Sequence, residues 1–160
     1  MPRRNYDRYY SNFILTINPN VRPVDDDDAR QVGELLRQVG ARFFTLENIL
    51  AAMKFRNGGS SDGVSRVEVV SWSVELGTNT RGQRVHIHAY IKVEHTNWMQ
   101  FDQTTIQHWF MDELASYQRV KNVFVNIRWV PATDELIKAY VEKGILVGGG
   151  GQSDQVLLDE

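Results

Sequence analysis

The amino-acid sequence predicts an α+β fold, with a central, mostly antiparallel sheet and flanking helices packed mainly on one face. Alternating or valine-rich segments predict four strands, at Asn12–Asn18, Arg66–Leu76, Gln83–Val93 and Asn122–Val130. Apolar residues at helical spacing predict helices at Ala29–Val39, Leu46–Phe55, Thr104–Tyr117 and from Thr133 or Asp134 to Lys143. A central hairpin with helices before and after it is typical of this fold class.

A break and an acidic block separate the first strand from the first helix. The residues on the apolar face of the strand are Phe13, Leu15 and Ile17. Pro19 and Pro23 end the strand, because proline cannot donate a hydrogen bond to a sheet. Asp25–Asp28 come directly before the helix. Carboxylates favour the positive end of a helix, so we interpret this block as helix capping rather than as a metal site.

Turn and capping residues divide the rest of the chain. Thr45 is placed to cap the second helix, and Asn57–Gly63 is a loop of small and polar residues. Gly77–Gly82 provides the turn of the central hairpin. Pro131 ends the last strand and Gly144 ends the last helix.

Length and composition limit the class of protein. The 160 residues suffice for one domain with its own core, and no stretch is apolar enough for a membrane span or a secretory signal. We therefore expect an intracellular protein that is not secreted and has no membrane partner. The absence of cysteine excludes disulfides, thiolate nucleophiles and cysteine zinc sites. A net charge of -2 argues against bulk electrostatic coating of nucleic acid, so any such binding requires a local site.

We divide the chain into three segments. Residues 1–11 form a basic and aromatic N-terminal arm, suited to holding phosphates and stacking on bases, although a frayed terminus has the same composition. Residues 12–147 form the main domain. Residues 148–160 form a glycine-rich linker or tail.

The clearest chemical pattern lies on the second strand of the hairpin. In residues 85–93 the odd positions are apolar and form a core face, so His86 and His88 project together from the other face. Glu75 lies at the end of the preceding strand, and an antiparallel hairpin brings it near His86. Two imidazoles and one carboxylate suit Mg²⁺ or Mn²⁺, and could also hold zinc or iron. Two exposed strand histidines without a ligand would show the same spacing.

The last predicted helix carries a candidate nucleophile. Tyr140 and Lys143 are three residues apart and therefore share one face of this helix. The ordinary pKa of tyrosine is about 10, so the phenol needs activation to act as a nucleophile at neutral pH. Lys143 is suited to position a phosphate and to balance negative charge. Tyr140 also has the neighbours of an aromatic residue packed in a core, Ile137 and Val141.

Three short motifs, in this order, resemble one family: the nuclease domain of the rolling-circle replication initiators (Rep proteins) of circular single-stranded DNA viruses, which are HUH endonucleases. Phe13–Pro19 resembles the first family motif, His86–His88 the second, and Ala139–Gly144 the third, a Tyr-x-x-Lys on a helix. Glu75 stands in the place of the family's upstream carboxylate ligand. The resemblance covers residues 12–147, and the long stretch 20–63 departs from the family pattern.

The resemblance implies a fold, a reaction and partners. It implies a five-stranded sheet of the HUH or RRM-like type, with an open metal-binding face and the tyrosine helix beside it. Tyr140 would nick single-stranded DNA in the loop of an origin hairpin, join the 5′ phosphate and release a 3′ hydroxyl. The cofactor would be Mn²⁺ or Mg²⁺. A missing C-terminal domain or a partner would supply helicase function, and the host nucleus would be the location for a eukaryotic virus.

The polar face of the predicted sheet also contains candidate DNA contacts. Functions other than DNA nicking are consistent with the sequence as well. The polar residues of suitable parity are Thr16, Asn18, Lys92, Asn126 and Arg128. A single-tyrosine transposase or plasmid relaxase of the same superfamily would use the same site. A cupin-like metal-dependent oxygenase is less consistent, because Glu94 lies roughly 20 Å from His88 along an extended strand. A non-catalytic sheet of RRM type would require an aromatic strand motif that this sequence lacks.

Overall fold

The structure, a computed structural model, describes residues 9–56, 61–75, 85–96 and 98–130. Its strands are β1 (Tyr9–Asn18), β2 (Met53–Phe55), β3 (Val64–Glu75), β4 (His86–His95), β5 (Met99–Phe101) and β6 (Phe124–Trp129). Its helices are α1 (Asp26–Phe43), α2 (Leu46–Ala51) and α3 (Gln103–Glu113), with a short 3-10 turn at Ser61–Gly63. The hairpin turn, the last predicted helix and the glycine-rich tail lie outside the described residues. No helix of the described ranges is long and apolar enough to cross a membrane.

Four strands form the main sheet, in the order β3–β4–β1–β6, and each neighbouring pair is antiparallel. Strands β1 and β3 run in the same direction with β4 between them, and α1 lies in their connection. Strands β4 and β6 run in the same direction with β1 between them, and α3 lies in their connection. Two interleaved crossovers of this kind make a split β-α-β arrangement. The predicted α+β fold with a mostly antiparallel sheet is confirmed.

The expectation of a five-stranded sheet is corrected. Within the described residues the main sheet has four strands, and β2 and β5 pair with each other in a separate two-stranded sheet. Residues 53–55 were predicted as the end of the second helix, which ends instead at Ala51. Strands of three residues are too short for apolar alternation to reveal them, and their pairing depends on contacts distant in sequence.

The acidic block forms the first turn of α1, as its interpretation as helix capping predicts. The Asp25 carboxylate accepts a hydrogen bond of 2.8 Å from the backbone N–H of Asp28. The Asp28 carboxylate in turn accepts from the backbone N–H of Val24 and pairs with Arg119 at 2.7 Å. Hydrogen bonds from Arg119 and Val24 lower the pKa of Asp28. These contacts start the helix earlier than the apolar spacing alone predicts.

The helices cover one face of the main sheet. Leu15 and Ile87 from the sheet are fully buried with Leu36 of α1 in one core. The helix approaches the sheet most closely at Gly40, where an added Cβ atom would lie 2.8 Å from Cζ3 of Trp72. A side chain at this position would therefore separate α1 from the sheet. The core face is thus closed, and the polar residues of the strands lie on the opposite face.

A β-bulge in strand β3 changes which residues, odd-numbered or even-numbered, face the core. Val69 and Ser71 pair with successive residues of β4, which leaves Val70 as an extra residue. Directly before this bulge the odd-numbered Val67 and Val69 face the core, and after it the even-numbered Trp72 and Val74 do so. Without the bulge, Glu75 would point into the core. The bulge places Glu75 on the polar face of the sheet.

Candidate metal centre

Three side chains converge where β3 ends and β4 begins. Glu75 is the register partner of His86, and His88 lies two residues farther along the same face. Oε1 of Glu75 lies 3.4 Å from Nε2 of His86 and 3.0 Å from Nε2 of His88. The two Nε2 atoms are 3.0 Å apart. The structure therefore brings the three predicted ligands together, close enough to bind one metal ion.

The separations between these ligand atoms fit a small divalent cation. An ion bound at about 2.1 Å needs neighbouring ligand atoms about 3.0 Å apart in an octahedral arrangement and about 3.4 Å apart in a tetrahedral one. The observed separations of 3.0, 3.0 and 3.4 Å span these two values. The three atoms form one triangular face of a coordination shell, so the other positions stay available to water or substrate.

Burial gives a second reason to expect a cation. The side chains of Glu75, His86 and His88 are 13%, 17% and 9% exposed. A largely buried carboxylate beside two imidazole nitrogens is costly unless a proton or a cation lies between them. A divalent ion would satisfy all three ligand atoms at once.

Strand β1 orients one of the ligands. Thr16 is the register partner of His88, and its Oγ1 lies 3.1 Å from Nδ1 of that ring. When Nδ1–H donates to this hydroxyl, the lone pair of Nε2 points toward the metal position. We predicted Thr16 as a DNA contact. Its role beside His88 was missed because the register of β1 against β4 cannot be read from either strand alone.

Two other predicted DNA contacts continue this row across the sheet. Asn126 is the register partner of Thr16 on β6 and is exposed, as is Arg128 two residues farther on. Cross-strand partners in an antiparallel sheet lie on the same face. His88, Thr16 and Asn126 therefore form a row about 10 Å long, set by the spacing of three strands. We name these three residues and Arg128 the polar row.

Of the remaining two predicted contacts, Asn18 lies on the ligand face beside His86, because it follows the Ile17–Ile87 pair in the antiparallel register, whereas Lys92 lies apart from the ligands. Lys92 is on the same face as His88 but about 13 Å farther along β4, opposite Glu68. Asn18 closes the turn that ends β1, where its Oδ1 accepts a hydrogen bond of 2.7 Å from the backbone N–H of Asn20. The register thus places Asn18 and Asn126 nearer the metal position than Lys92.

The expectation of a fully open polar face is corrected at Tyr90. This side chain lies between His88 and Lys92 in the strand pattern, yet it is completely buried. It packs in a small apolar cluster with Ile14 and Val130. Sequence parity gives the face on which a residue lies but not what covers that face. The candidate metal centre is therefore bounded on one side by apolar side chains.

The predicted nucleophile Tyr140 and its neighbour Lys143 lie outside the described residues. No protein-family model matches this chain, and no curated protein matches it. The function is therefore inferred from the geometry of the three ligands and from the sequence motifs.

Proposed function

We propose that this chain is a metal-dependent endonuclease that nicks and rejoins single-stranded DNA through a tyrosine, and so initiates rolling-circle replication. The observation that carries the proposal is the cluster of Glu75, His86 and His88, whose ligand atoms lie within 3.4 Å of one another on one face of the sheet. The sequence adds the Tyr140-x-x-Lys143 motif. A metal-ligand set followed by a tyrosine motif is the order that the resemblance to Rep nuclease domains requires.

The ligand set favours Mn²⁺ over Mg²⁺ among the two expected cofactors. Mg²⁺ prefers oxygen ligands and retains several waters, whereas imidazole nitrogens are softer ligands. Two of the three ligand atoms here are imidazole nitrogens. A bound divalent ion would polarise the scissile phosphate and stabilise the charge that develops on it.

Tyr140 would carry the covalent step. Its phenol oxygen forms a bond to phosphorus while the bond from phosphorus to the 3′ oxygen breaks. The phenol proton passes to solvent, and the departing 3′ oxygen takes one up. The products are a 5′-phosphotyrosine and a free 3′ hydroxyl. Because one phosphoester replaces another, attack by a 3′ hydroxyl on this linkage rejoins the DNA, and Lys143 would balance negative charge in both directions.

The polar row supports a single-stranded substrate. It leads from His88 toward the edge strand β6 and ends in an exposed amide at Asn126 and an exposed cation at Arg128. Phosphate contacts come from cations, and side-chain amides read base edges that are accessible when a base is unpaired. The loop of an origin hairpin offers such bases. If the chain comes from a virus of a eukaryote, the protein would act in the host nucleus, and otherwise elsewhere inside the cell. A further domain or a partner would supply helicase function.

A metal-dependent oxygenase is the second candidate, since two histidines and one carboxylate on one triangular face also bind Fe(II) in non-haem oxygenases. The described sheet is an open four-stranded layer with helices on one face, not a cupin barrel. A transposase or relaxase of the same superfamily would use the same ligands and differ in its DNA substrate.

A nicking assay tests the proposed function. The full chain is incubated with Mn²⁺ and labelled single-stranded oligonucleotides that carry hairpin loops, and products are resolved on a denaturing gel. We expect a covalent protein–DNA adduct with the wild type and none with Tyr140→Phe, Glu75→Gln or His88→Ala. His108 is an exposed histidine of α3, so His108→Ala is a matched control that should retain activity.

Two results would contradict the proposal. An adduct that forms equally well with Tyr140→Phe would exclude this nucleophile. Oxygen consumption that depends on Fe(II) and on His88, without any DNA cleavage under Mn²⁺, would favour the oxygenase instead.

A further inference from the structure

A groove lies on the helix-covered side of the main sheet, between the small β2–β5 sheet and strands β1 and β6. It consists of two adjoining clefts, of about 580 Å³ and about 480 Å³, that share Phe13, Gln100 and Trp129. We name it the aromatic groove and define it by Tyr9, Phe13, Trp98, Trp129, Lys54 and Arg56. It is separate from the metal centre, because Phe13 and its register partner Trp129 lie on the opposite face from His88.

Three aromatic side chains of this groove are unusually exposed. Trp129 is 60% exposed, Tyr9 is 55% exposed and Trp98 is 43% exposed. Large aromatic rings left open to solvent along one groove mark a binding surface more often than a structural one. The guanidinium of Arg56 lies over the Trp98 ring, 5.1 Å from its centroid, which shows that this ring can hold a flat group against its face.

The charge of the groove favours an anionic ligand. Lys54 and Arg56 are exposed, and neither has a carboxylate partner among the described residues. The carboxylate of Asp102, at the groove wall, is engaged at the N-terminus of α3, where it accepts from the backbone N–H of Thr104 and the hydroxyl of Thr105. The groove therefore presents aromatic faces beside two cations that no described carboxylate neutralises, as surfaces that bind unpaired nucleotides do.

We propose that the aromatic groove binds single-stranded DNA, with bases stacked on Trp98 and Trp129 and phosphates held by Lys54 and Arg56. The choice of DNA as the ligand rests on the proposed function. The bound segment flanks the nick site and is not the nick site itself. At the groove, His95 lies seven residues beyond His88, about 23 Å along β4.

Strand β6 provides a path between the two sites. It is the edge strand of the described sheet, with the polar row ending on one face at Asn126 and Arg128, and Trp129 on the other face. A DNA strand that leaves the metal centre along the polar row reaches this edge and can turn around it into the groove. The groove would then hold the substrate while the nick is made and rejoined.

Binding without metal tests this proposal independently of cleavage. Fluorescence anisotropy measures the affinity of the full chain for a labelled oligo-dT of about 20 nucleotides in EDTA, beside a duplex of equal length. We expect the double variant Trp98→Ala/Trp129→Ala to bind the single strand about tenfold more weakly or worse, because each stacked base contributes substantially. The double variant Trp98→Phe/Trp129→Phe retains aromatic faces and should recover most of the affinity.

The salt dependence of DNA binding tests the role of Lys54 and Arg56. Lys54→Ala/Arg56→Ala should lower the slope of log affinity against log salt concentration by about 0.7 for each phosphate that is no longer neutralised. Arg30→Ala, which removes an exposed cation on α1, and Val24→Ala, which trims an exposed apolar side chain, are matched controls that should bind normally.

The outcomes separate this proposal from the proposed function. If Trp98→Ala/Trp129→Ala binds oligo-dT with wild-type affinity, the proposal that the groove binds DNA is overturned, even if the wild type nicks DNA. Weakened binding in that variant would support the groove, even if the wild type forms no adduct. A proline-rich peptide whose binding requires both tryptophans, together with no binding of oligo-dT, would also overturn the proposal.

Discussion

Replacing Thr16 by valine tests how the sheet prepares the metal centre. Valine has nearly the shape of threonine, so the change removes the hydroxyl and little else. The hydroxyl makes a 3.1 Å hydrogen bond between Oγ1 of Thr16 and Nδ1 of His88. This bond helps to fix the tautomer and the rotation of the His88 ring, and the valine variant lacks it. The three ligand residues themselves are unchanged.

The expected loss is in metal affinity rather than in folding. Removing the partner behind a metal-binding histidine weakens metal binding by about 10- to 100-fold, or about 1.4–2.7 kcal/mol. We expect the lower end, about tenfold, because the partner of His88 is a neutral hydroxyl rather than a carboxylate. The loss of one hydrogen bond lowers the free energy of unfolding by about 1 kcal/mol, so the variant should remain folded.

Isothermal titration calorimetry with Mn²⁺ measures this effect. We expect Thr16→Val to bind Mn²⁺ about tenfold more weakly than the wild type at the same stoichiometry. Thr16→Ser keeps a hydroxyl and should bind nearly as well as the wild type. Equal affinities in wild type and Thr16→Val would refute the reasoning, as would a loss in Thr16→Ser as large as that in Thr16→Val.

Three further predictions concern the metal, the core and pH. Glu75→Gln should abolish measurable Mn²⁺ binding and adduct formation while retaining oligo-dT binding in EDTA; a parallel loss of all three would assign Glu75 to folding. Gly40→Ala should lower the free energy of unfolding in urea by about 1 kcal/mol, because overpacking against Trp72 exceeds the gain in helix propensity, and a more stable variant would contradict the packing. The pKa of Asp28 is lowered by Arg119, so its stabilising effect is present at neutral pH and is lost as pH falls through that depressed pKa. Asp28→Asn should therefore reduce stability at pH 7 more than at pH 3, and an equal reduction at both would exclude this contribution.

The sequence predicted the elements whose pattern is local. Apolar alternation located the four strands of the main sheet, and helical spacing located α1 and α3, with Thr45 correctly placed as the cap of α2. The hairpin predicted that Glu75 lies close to His86 and His88, because consecutive antiparallel strands have a constrained register.

The features that were missed depend on pairing between distant segments. The exposed Trp129 lies opposite Phe13 across a register that neither strand reveals, so the aromatic groove had no sequence signal. The bulge at Val70 did leave a trace, since the apolar positions of β3 change parity there. That change places Glu75 on the same face as His86 and His88, and the hairpin predicted this proximity without it.

Mass spectrometry of the reaction product tests the proposed chemistry most directly. The wild type is incubated with Mn²⁺ and a single-stranded oligonucleotide that it cleaves. The released DNA is analysed directly, and the protein fraction is digested with nuclease and protease. We predict one peptide that carries a 5′-linked nucleotide on Tyr140, together with a released DNA fragment that ends in a 3′ hydroxyl. Cleavage that leaves both DNA fragments free of protein, or an adduct on another residue, would contradict the proposed function.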